Sequence, residues 1–161
     1  KVLSTGLKSY PDSPDLLYDH AMMAEKLNKL DVLEKNLRRV IQIKPDEAQA
    51  YNALGYTLAD RTNRLDEAVQ LLDKALSISP DDPYILDSMG WAQYRKGNFE
   101  RARTFLERAY KTRPDPEIAA HLGEVMWMHG QREDASSLWQ TSLKSHPQNE
   151  VLLETLRRFK P

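Results

Sequence analysis

Apolar and small residues recur along the chain with a period of about 34 residues, which is the length of one known type of helical repeat. In three blocks, a Leu–Gly or Met–Gly pair is followed further along the chain by Ala, then by a large apolar residue, a small residue and Pro. Prolines mark the same period from one end of the chain to the other, at Pro11, Pro45, Pro80, Pro114 and Pro147. Such a period is typical of repeated supersecondary units, and the chain is therefore predicted to be a series of helical repeats.

Each repeat is predicted to contain two helices that cross closely. Glycine in the first helix leaves room for the second, because a side chain at the crossing would push the two helices apart. The small partner on the second helix is an alanine in each of the three blocks. The predicted glycine–alanine pairs are Gly55 with Ala68, Gly90 with Ala102, and Gly123 with Ala135.

The ends of the predicted helices carry their own signals. Ser13, Asp82 and Asp115 each precede a proline, so that an N-capping side chain stands before Pro at the first helical position. Gly97 and Gly130 follow first helices and are predicted to be left-handed C-caps. These residues predict where the chain changes direction.

The pattern resembles the tetratricopeptide repeat (TPR), a helix–turn–helix unit of about 34 residues. The resemblance implies an all-α fold, a TPR α-solenoid in which the repeats form a right-handed superhelix with a C-terminal capping helix. The predicted repeats are 14–47, 48–82, 83–115 and 116–149. Residues 1–13 are predicted to be the second helix of a preceding repeat, and 150–161 the capping helix, with Leu153 and Leu156 on its core positions. We therefore expect a single TPR domain over 1–161 that begins in the middle of a repeat.

Three repeats depart from the common pattern. The first has Ala21 in place of glycine and the large Leu33 and Val40 in place of small residues, a volume exchange that can still pack. The second holds one extra residue, which is predicted to lie in the turn between its helices, near 60–64. The third is one residue short, and the shortening is predicted at 113–115.

Charge and composition exclude several classes of protein. The formal net charge is −1, and the halves 1–80 and 81–161 carry 11 and 12 basic groups against 12 acidic groups each, so no basic patch suited to nucleic acid is expected. The absence of cysteine excludes a disulfide framework, thiol catalysis and cysteine-bound zinc. No apolar run approaches the roughly 20 residues of a membrane-spanning helix.

Residue patterns that carry catalysis or bind metals are also missing. The sequence contains no G-x-S-x-G, G-x-G-x-x-G, Walker A or H-E-x-x-H motif. His121 and Glu124 lie one turn apart on a predicted helix, but a metal site needs more ligands than this pair. His20 occupies a core position and is interpreted as a buried, hydrogen-bonded histidine. The sequence predicts no enzyme activity, no cofactor and no metal site.

The family resemblance implies where a partner binds. In TPR proteins the first helices form a concave wall, and solenoids use such surfaces for recognition. Aromatic side chains are frequent anchors at protein interfaces, and Asp87 is expected to orient a donor or a cation. The residues predicted to bind the partner are Tyr18, Asn52, Tyr56, Tyr84, Asp87, Trp91, Tyr94, Glu124 and Trp127.

The predicted wall also indicates what kind of partner fits. Acidic residues outnumber basic ones there, which favours a basic or neutral extended segment. The Lys/Asn/Arg clamp with which chaperone-tail binders hold a terminal carboxylate is missing. A second interpretation of the aromatic side chains stays open, in which Trp91, Tyr94 and Trp127 pack between neighbouring repeats, because a helix with two neighbours has a wide apolar stripe.

Two stretches resemble a narrower group within the family. Residues 51–68 and 83–91 are similar to the C-terminal repeats of proteobacterial TPR lipoproteins anchored in the outer membrane. The resemblance implies a periplasmic adaptor whose partner is a carboxyl-terminal processing protease that trims cell-wall hydrolases. It also implies a lipid-modified cysteine and further repeats before Lys1, so that contact with the membrane is made only by that anchor.

Three functions follow in order of preference. The first is a non-enzymatic scaffold that binds a protein or peptide in its groove. The second is a structural protein that forms homo-oligomers through its terminal or convex faces and leaves the groove empty. The third is an enzyme of unrecognised type, for which the sequence offers no candidate beyond the pair His121 and Glu124.

Overall fold

The computed structural model describes the backbone of residues 2–161 and all their side chains except those of Leu3 and Ser4. Every regular element in this range is an α-helix, so the predicted all-α class is confirmed. The helices are α1 (Val2–Ser9), α2 (Pro14–Lys26), α3 (Leu30–Ile43), α4 (Ala48–Arg61), α5 (Leu65–Ile78), α6 (Pro83–Arg95), α7 (Phe99–Thr112), α8 (Pro116–Met128), α9 (Arg132–Ser145) and α10 (Glu150–Phe159).

The helices are grouped into two compact units, residues 1–79 (unit 1) and 80–161 (unit 2). In unit 1, α2 packs against α3 and α4 against α5, while α1 lies on α2 and α3 on α4. In unit 2, α6 packs against α7 and α8 against α9, and α10 contacts both α8 and α9. Each unit therefore holds two helical hairpins, and unit 2 closes with one further helix.

Close crossing of paired helices is confirmed at the glycines of the first helices. A Cβ atom on Gly55 would lie 2.7 Å from Leu72 Cγ and 3.2 Å from the Ala68 carbonyl oxygen. On Gly123 it would lie 2.0 Å from Trp139 Nε1. The small residue of the second helix thus lets the backbones approach, and the large residue one turn later fills the space over the glycine.

The predicted N-caps are confirmed. Ser13, Asp82 and Asp115 each accept a hydrogen bond from a backbone N–H of the first turn, at 3.4, 2.8 and 2.8 Å. The proline that follows each of them stands at the start of the helix, where its missing N–H is not needed.

The turns inside the hairpins follow two designs. Gly97 and Gly130 adopt φ of 88° and 91°, as predicted for left-handed C-caps, and Asn28 adopts φ 57° at the corresponding place. Thr62 instead ends α4 in extended geometry, with its hydroxyl donating to the Leu58 carbonyl at 2.6 Å and accepting from the N–H of Arg64 at 3.0 Å. The threonine hydroxyl replaces the left-handed residue in this turn.

The extra residue of the second repeat is accommodated differently from the prediction. Helix α4 has 14 residues where α2, α6 and α8 have 13, whereas the turn 62–64 is as long as the others. The prediction of a longer turn is therefore wrong, because the helix itself is extended by one residue before Thr62 caps it. The shortened connector at 113–115 is confirmed, since three residues join α7 to α8 where four join α5 to α6.

The core positions of α10 are shifted by one residue from the prediction. Leu152 and Thr155 are buried, at 0% and 4% exposure, while Leu153 and Leu156 are half-buried. The Asn149 side chain caps the helix by accepting a hydrogen bond from the N–H of Leu152. The position of this cap determines which residues of α10 face the core. Leu152 joins the core of unit 2 between α8 and α9, and Leu156 packs at its edge.

Candidate functional site

The residues predicted to bind a partner lie on the first helices of both units. The wall of unit 1 is formed by α2 and α4 and carries Tyr18, Asn52 and Tyr56. The wall of unit 2 is formed by α6 and α8 and carries Tyr84, Asp87, Trp91, Tyr94, Glu124 and Trp127. Their spacing by three, four or seven residues on each helix places them along one face.

An open pocket of about 450 Å³ lies on the wall of unit 1. Tyr18 stands in it, and we call it the Tyr18 pocket. Its lining combines apolar surface with carboxylates and one amide, and consists of Pro14, Asp15, Tyr18, Asp19, Val40, Glu47 and Gln49. Residues of α2, α3, α4 and the connector before α4 meet here, which brings together side chains from two neighbouring repeats.

Negative charge dominates this pocket. Burial raises the pKa of the Tyr18 phenol, and the carboxylates of Glu47 and Asp19 raise it further. Three of the seven lining residues are acidic and none is basic. Lys44 approaches from outside the lining, with its Nζ 3.5 Å from a Glu47 oxygen. The phenol therefore stays protonated and able to donate a hydrogen bond at neutral pH.

The other two predicted residues of unit 1 are partly covered. Asn52 is half-buried, and its Oδ1 atom is buried and accepts no hydrogen bond from the described residues. Tyr56, one turn further along α4, is half-buried. His20 is half-buried and lies 2.8 Å from Asn36 Nδ2 through its Nδ1, so it is hydrogen-bonded as the sequence indicated.

In unit 2, Asp87, His121 and Trp91 form one contact group. Asp87 Oδ1 lies 2.8 Å from His121 Nδ1, and the imidazole stacks on the Trp91 indole with 4.3 Å between ring centroids. Asp87 and Trp91 are only 8% and 7% exposed. The donor that Asp87 orients is therefore a histidine of the same chain, one repeat further along.

A second group joins α6, α8 and α10. The Tyr94 hydroxyl donates to Glu124 Oε2 at 3.0 Å, and Arg158 donates to Glu124 Oε1 at 2.6 Å. Glu124 is 6% exposed, and burying a carboxylate is costly unless it is paired. Here Arg158 balances the charge, and both carboxylate oxygens accept hydrogen bonds. Burial and then the Glu124 carboxylate raise the pKa of Tyr94 far above its ordinary value.

The chemistry of these groups does not suggest a metal centre. Glu124 is bonded to Tyr94 and Arg158, whereas His121 is bonded to Asp87. Within residues 2–161, apart from the two undescribed side chains, no group of three or more His, Asp or Glu is arranged to hold a metal ion.

Two aromatic side chains form part of the accessible wall of unit 2. Tyr84 is 43% exposed, with the Arg113 guanidinium 5.9 Å from its ring centroid. Trp127 is half-buried between the Trp139 and Phe159 rings, at 5.7 Å from each, and Arg132 lies 5.0 Å over it. Trp127 is thus held by two neighbouring rings and partly covered by Arg132, while Tyr84 is the more exposed of the two.

Sequence reasoning missed the partners of the buried residues. Asp87 and His121 are 34 residues apart, and so are Glu124 and Arg158. Acidic and basic residue types spaced by one repeat length would have identified both pairs. No sequence pattern indicated that Phe159 contacts Trp127, because this contact depends on where α10 ends.

No helix in the described part of the chain is long and apolar enough to cross a membrane.

Two sequence models of the tetratricopeptide repeat family match the chain, one over residues 18–83 and the other over 61–122. The chain is 50% identical over 124 residues to a TPR repeat-containing protein of Pseudomonas aeruginosa. That alignment covers 77% of the chain and 21% of the relative. The chain therefore spans about a fifth of the length of the relative it matches.

Solved structures share the fold. A thermophilic TPR protein of Thermus thermophilus superposes with a TM-score of 0.85, covering 99% of the chain and 88% of that protein at 20% identity. PilF of Pseudomonas aeruginosa gives 0.75, covering 98% and 74% at 17% identity. The type IV pilus biogenesis factor PilW gives 0.78, covering 98% and 81% at 22% identity. At these identities the likeness establishes the fold alone, an α-solenoid of helix–turn–helix repeats.

Proposed function

Because the chain belongs to the tetratricopeptide repeat family, we propose that it is a non-enzymatic scaffold that binds a protein or peptide through its first-helix walls. Proteins of this family generally mediate protein–protein interactions, and the repeat fold is generally a non-catalytic scaffold. The carrying observation is the partly exposed aromatic surface of unit 2, formed by Tyr84, Tyr94 and Trp127. Aromatic side chains held rigid before binding lose little entropy when a partner packs on them.

The buried groups behind this surface support the same function. The Asp87–His121 contact and the Glu124–Arg158 ion pair fix α6, α8 and α10 against one another at 2.8 and 2.6 Å. Trp91, which is buried against His121, belongs to these supporting groups and not to the exposed surface. Tyr84 is the most exposed of the predicted anchors. A partner would meet a preformed surface whose buried acids, Asp87 and Glu124, are already hydrogen-bonded.

The test compares two exposed tyrosines. Tyr84→Ala removes an anchor of the wall, whereas Tyr10→Ala removes a tyrosine, 68% exposed, that precedes α2 and lies outside the walls. A partner would be captured from bacterial envelope extract on the full chain, identified by mass spectrometry, purified and titrated against each variant. We expect about tenfold weaker binding for Tyr84→Ala and no change for Tyr10→Ala.

Equal binding by both variants would reject the wall of unit 2 as the site.

A second candidate function is self-association through the terminal helices, favoured by the exposed side chains of Val2 on α1 and Val151 on α10, at 85% and 38%. It predicts a molecular mass that rises with concentration in sedimentation velocity and falls back in a Val151→Asp variant.

We further propose that the scaffold works in the bacterial envelope, as the periplasmic adaptor of a carboxyl-terminal processing protease. The support is the resemblance of residues 51–68 and 83–91 to outer-membrane TPR lipoproteins. The test is fractionation of cells that express the full-length protein, with labelled palmitate and with co-purification of the protease. Unlabelled protein in the cytosolic fraction would overturn the envelope location, and absence of the protease from the purified complex would overturn the adaptor role.

A further inference from the structure

The Tyr18 pocket joins three features that together select a ligand. One wall is the half-buried Tyr18 ring, and Pro14 contributes apolar surface, while Val40, which is 1% exposed, adds almost none. Carboxylates surround this apolar surface, and Gln49 adds an amide. A volume of about 450 Å³ lies within the roughly 300–1,000 Å³ of small-ligand sites, which is ample for one long side chain.

The charges of the pocket are only partly balanced. Lys44 neutralises Glu47 from one side, at 3.5 Å, while Asp15 and Asp19 project from successive turns of α2 and are exposed to solvent. The paired carboxylate Glu47 is itself half-exposed and can still accept hydrogen bonds. The pocket therefore keeps an excess of negative charge next to an aromatic face.

The carboxylates are too widely spread for a small ion. Among the described residues, no three His, Asp or Glu come together as metal ligands. An occupant of this pocket has to offer apolar surface to Pro14 and Tyr18 and positive charge to the carboxylates. An organic cation on a flexible carbon stem has that form, because lysine and arginine bury their methylene groups while their charged ends remain near water.

We propose that the Tyr18 pocket receives the side chain of an arginine or lysine from an extended, basic segment of the partner protein. The proposal rests on the proposed scaffold function and names the chemistry of its partner. The stem of the basic side chain packs on Pro14, and its cation lies against Tyr18 between the carboxylates of Asp19 and Glu47. Arginine is favoured over lysine, since a planar guanidinium stacks on an aromatic ring and binds carboxylates in pairs.

The test uses two probes that differ in charge and little in shape. N-acetyl-arginine methylamide and N-acetyl-citrulline methylamide are titrated into the ¹⁵N-labelled full chain and followed by NMR. We expect arginine to shift the amide signals of Tyr18, Asp19 and Gln49 saturably, citrulline to leave them in place, and added salt to weaken the effect.

Matched variants assign the effect to the pocket. Asp19→Asn/Glu47→Gln removes two carboxylates from the lining, whereas Asp73→Asn/Glu133→Gln removes two exposed carboxylates from α5 and α9. We expect about fivefold weaker arginine binding in the first variant and unchanged binding in the second. All four residues are at least partly exposed, so both variants are expected to retain the helical circular dichroism of the parent.

Three results would overturn the proposal: equal shifts with citrulline, undiminished binding in Asp19→Asn/Glu47→Gln, or no saturable shift at the pocket. If one of them occurs while Tyr84→Ala still weakens partner binding, the scaffold function stands and the pocket assignment falls. If arginine binds the pocket while no partner binds the walls, the scaffold function falls and the pocket remains a cation site.

Discussion

Units 1 and 2 follow the same repeat pattern, yet neighbouring repeats are joined by different chemistry. In unit 1 a network of two acids and two arginines joins α3 to α5 and to Arg64, which directly precedes α5. Arg64 lies 2.7 Å from Glu34 and 2.7 Å from Glu67, and Arg38 pairs with both acids as well. All four side chains contact solvent, so the network holds the outer face of this unit together.

In unit 2, neighbouring repeats are held together by aromatic contacts and by buried hydrogen-bonded pairs. Arg103 donates to Gln131 at the positions that correspond to Glu34 and Arg64, so a hydrogen bond replaces an ion pair of unit 1 there, while Arg103 also pairs with Glu107 of its own helix. Contacts of the first helices are prominent in this unit, since Glu124 is buried on α8 and Trp127 of the same helix stacks on Trp139.

This difference shows which part of the repeat is constrained. Glycine and alanine stand at the α4–α5, α6–α7 and α8–α9 crossings, where a Cβ on the glycine would meet the facing helix, whereas the first hairpin of unit 1 has Ala21 and Leu33 at these positions. The contacts between repeats can be ionic, aromatic or mixed, since many side chains can cover the same area. Four variants test this view of the two units.

The largest effect is expected from Gly123→Ala. The added Cβ would lie 2.0 Å from Nε1 and 2.4 Å from Cε2 of Trp139, which is fully buried and has no space in which to turn. We expect a loss of about 3 kcal/mol in the free energy of unfolding, and about 1–2 kcal/mol for Gly55→Ala, where the neighbour is the more adaptable Leu72. All three tryptophans lie in unit 2, so urea unfolding followed by tryptophan fluorescence reports this unit, while circular dichroism reports both.

The control for Gly123→Ala is Gly97→Asn, because nothing lies within 4 Å of a Cβ at Gly97 and asparagine tolerates positive φ. A larger shift of the fluorescence midpoint for Gly97→Asn than for Gly123→Ala would show that turn geometry, and not helix distance, limits this unit.

Arg158→Ala is expected to have the next largest effect. It leaves the carboxylate of Glu124, a side chain 9% exposed, without its cation, and we expect a loss of about 2 kcal/mol. Adding Glu124→Gln should recover about half of this loss, because a neutral amide is cheaper to bury. Arg157→Ala, which breaks an exposed pair with Glu154, serves as the control at about 0.5 kcal/mol or less. Equal losses in the two arginine variants would mean that the Glu124 pair is no stronger than a surface pair.

The ionic network of unit 1 should respond to acid. The hydrogen bond from Arg64, assisted by Arg38 and opposed by burial, lowers the pKa of Glu34 to about 2. A lowered pKa gives stability that is present above the unfolded value of about 4.3 and is lost as the pH falls through about 2. Glu34→Gln should therefore cost about 1 kcal/mol at pH 7, a modest figure because solvent screens the network, and the cost should shrink between about pH 5 and 2.

Circular dichroism in urea at several pH values measures this cost. Glu107→Gln, which breaks an exposed pair with Arg103 within one helix of unit 2, is the control and should cost less at pH 7. A difference between wild type and Glu34→Gln that is the same at pH 3 as at pH 7 would contradict the assignment.

The smallest expected effect is a gain. Ser142 is 4% exposed and its Oγ has no hydrogen-bond partner among the described residues, while the corresponding Ala75 and Ala109 are fully buried. Ser142→Ala should raise the free energy of unfolding by about 0.5–1 kcal/mol, because it removes a desolvated hydroxyl and leaves the packing intact. A loss on the same urea curve would indicate that the hydroxyl is bonded in solution.

Local signals predicted most of the fold. Asp82 before Pro83 and Gly97 after α6 act within a few residues of their position, so the helix ends could be located from sequence. The extra residue of the second repeat could not, because the choice between a longer helix and a longer turn depends on whether Thr62 can cap α4. The register of α10 depends in the same way on the cap formed by Asn149.

The sequence located the predicted wall residues on the first helices, but it did not reveal the contacts that these residues make. The first-helix positions carry the aromatic and acidic residues that the pattern indicated, but the sequence could not decide which of them are covered. Asp87 and Glu124 are buried because partners one repeat away reach them, and such contacts depend on distances between helices. The Tyr18 pocket has the same origin, since Val40 and Glu47 come from outside the first helix.

The open turns at Gly97 and Gly130 have a practical consequence. A Cβ at either glycine would meet no atom within 4 Å, and each turn joins the far ends of a helical hairpin. Exposed tips of this kind tolerate inserted sequence and broken chain connectivity better than any other part of a domain. They are suitable positions for an epitope, a fluorescent reporter or the new termini of a circular permutant.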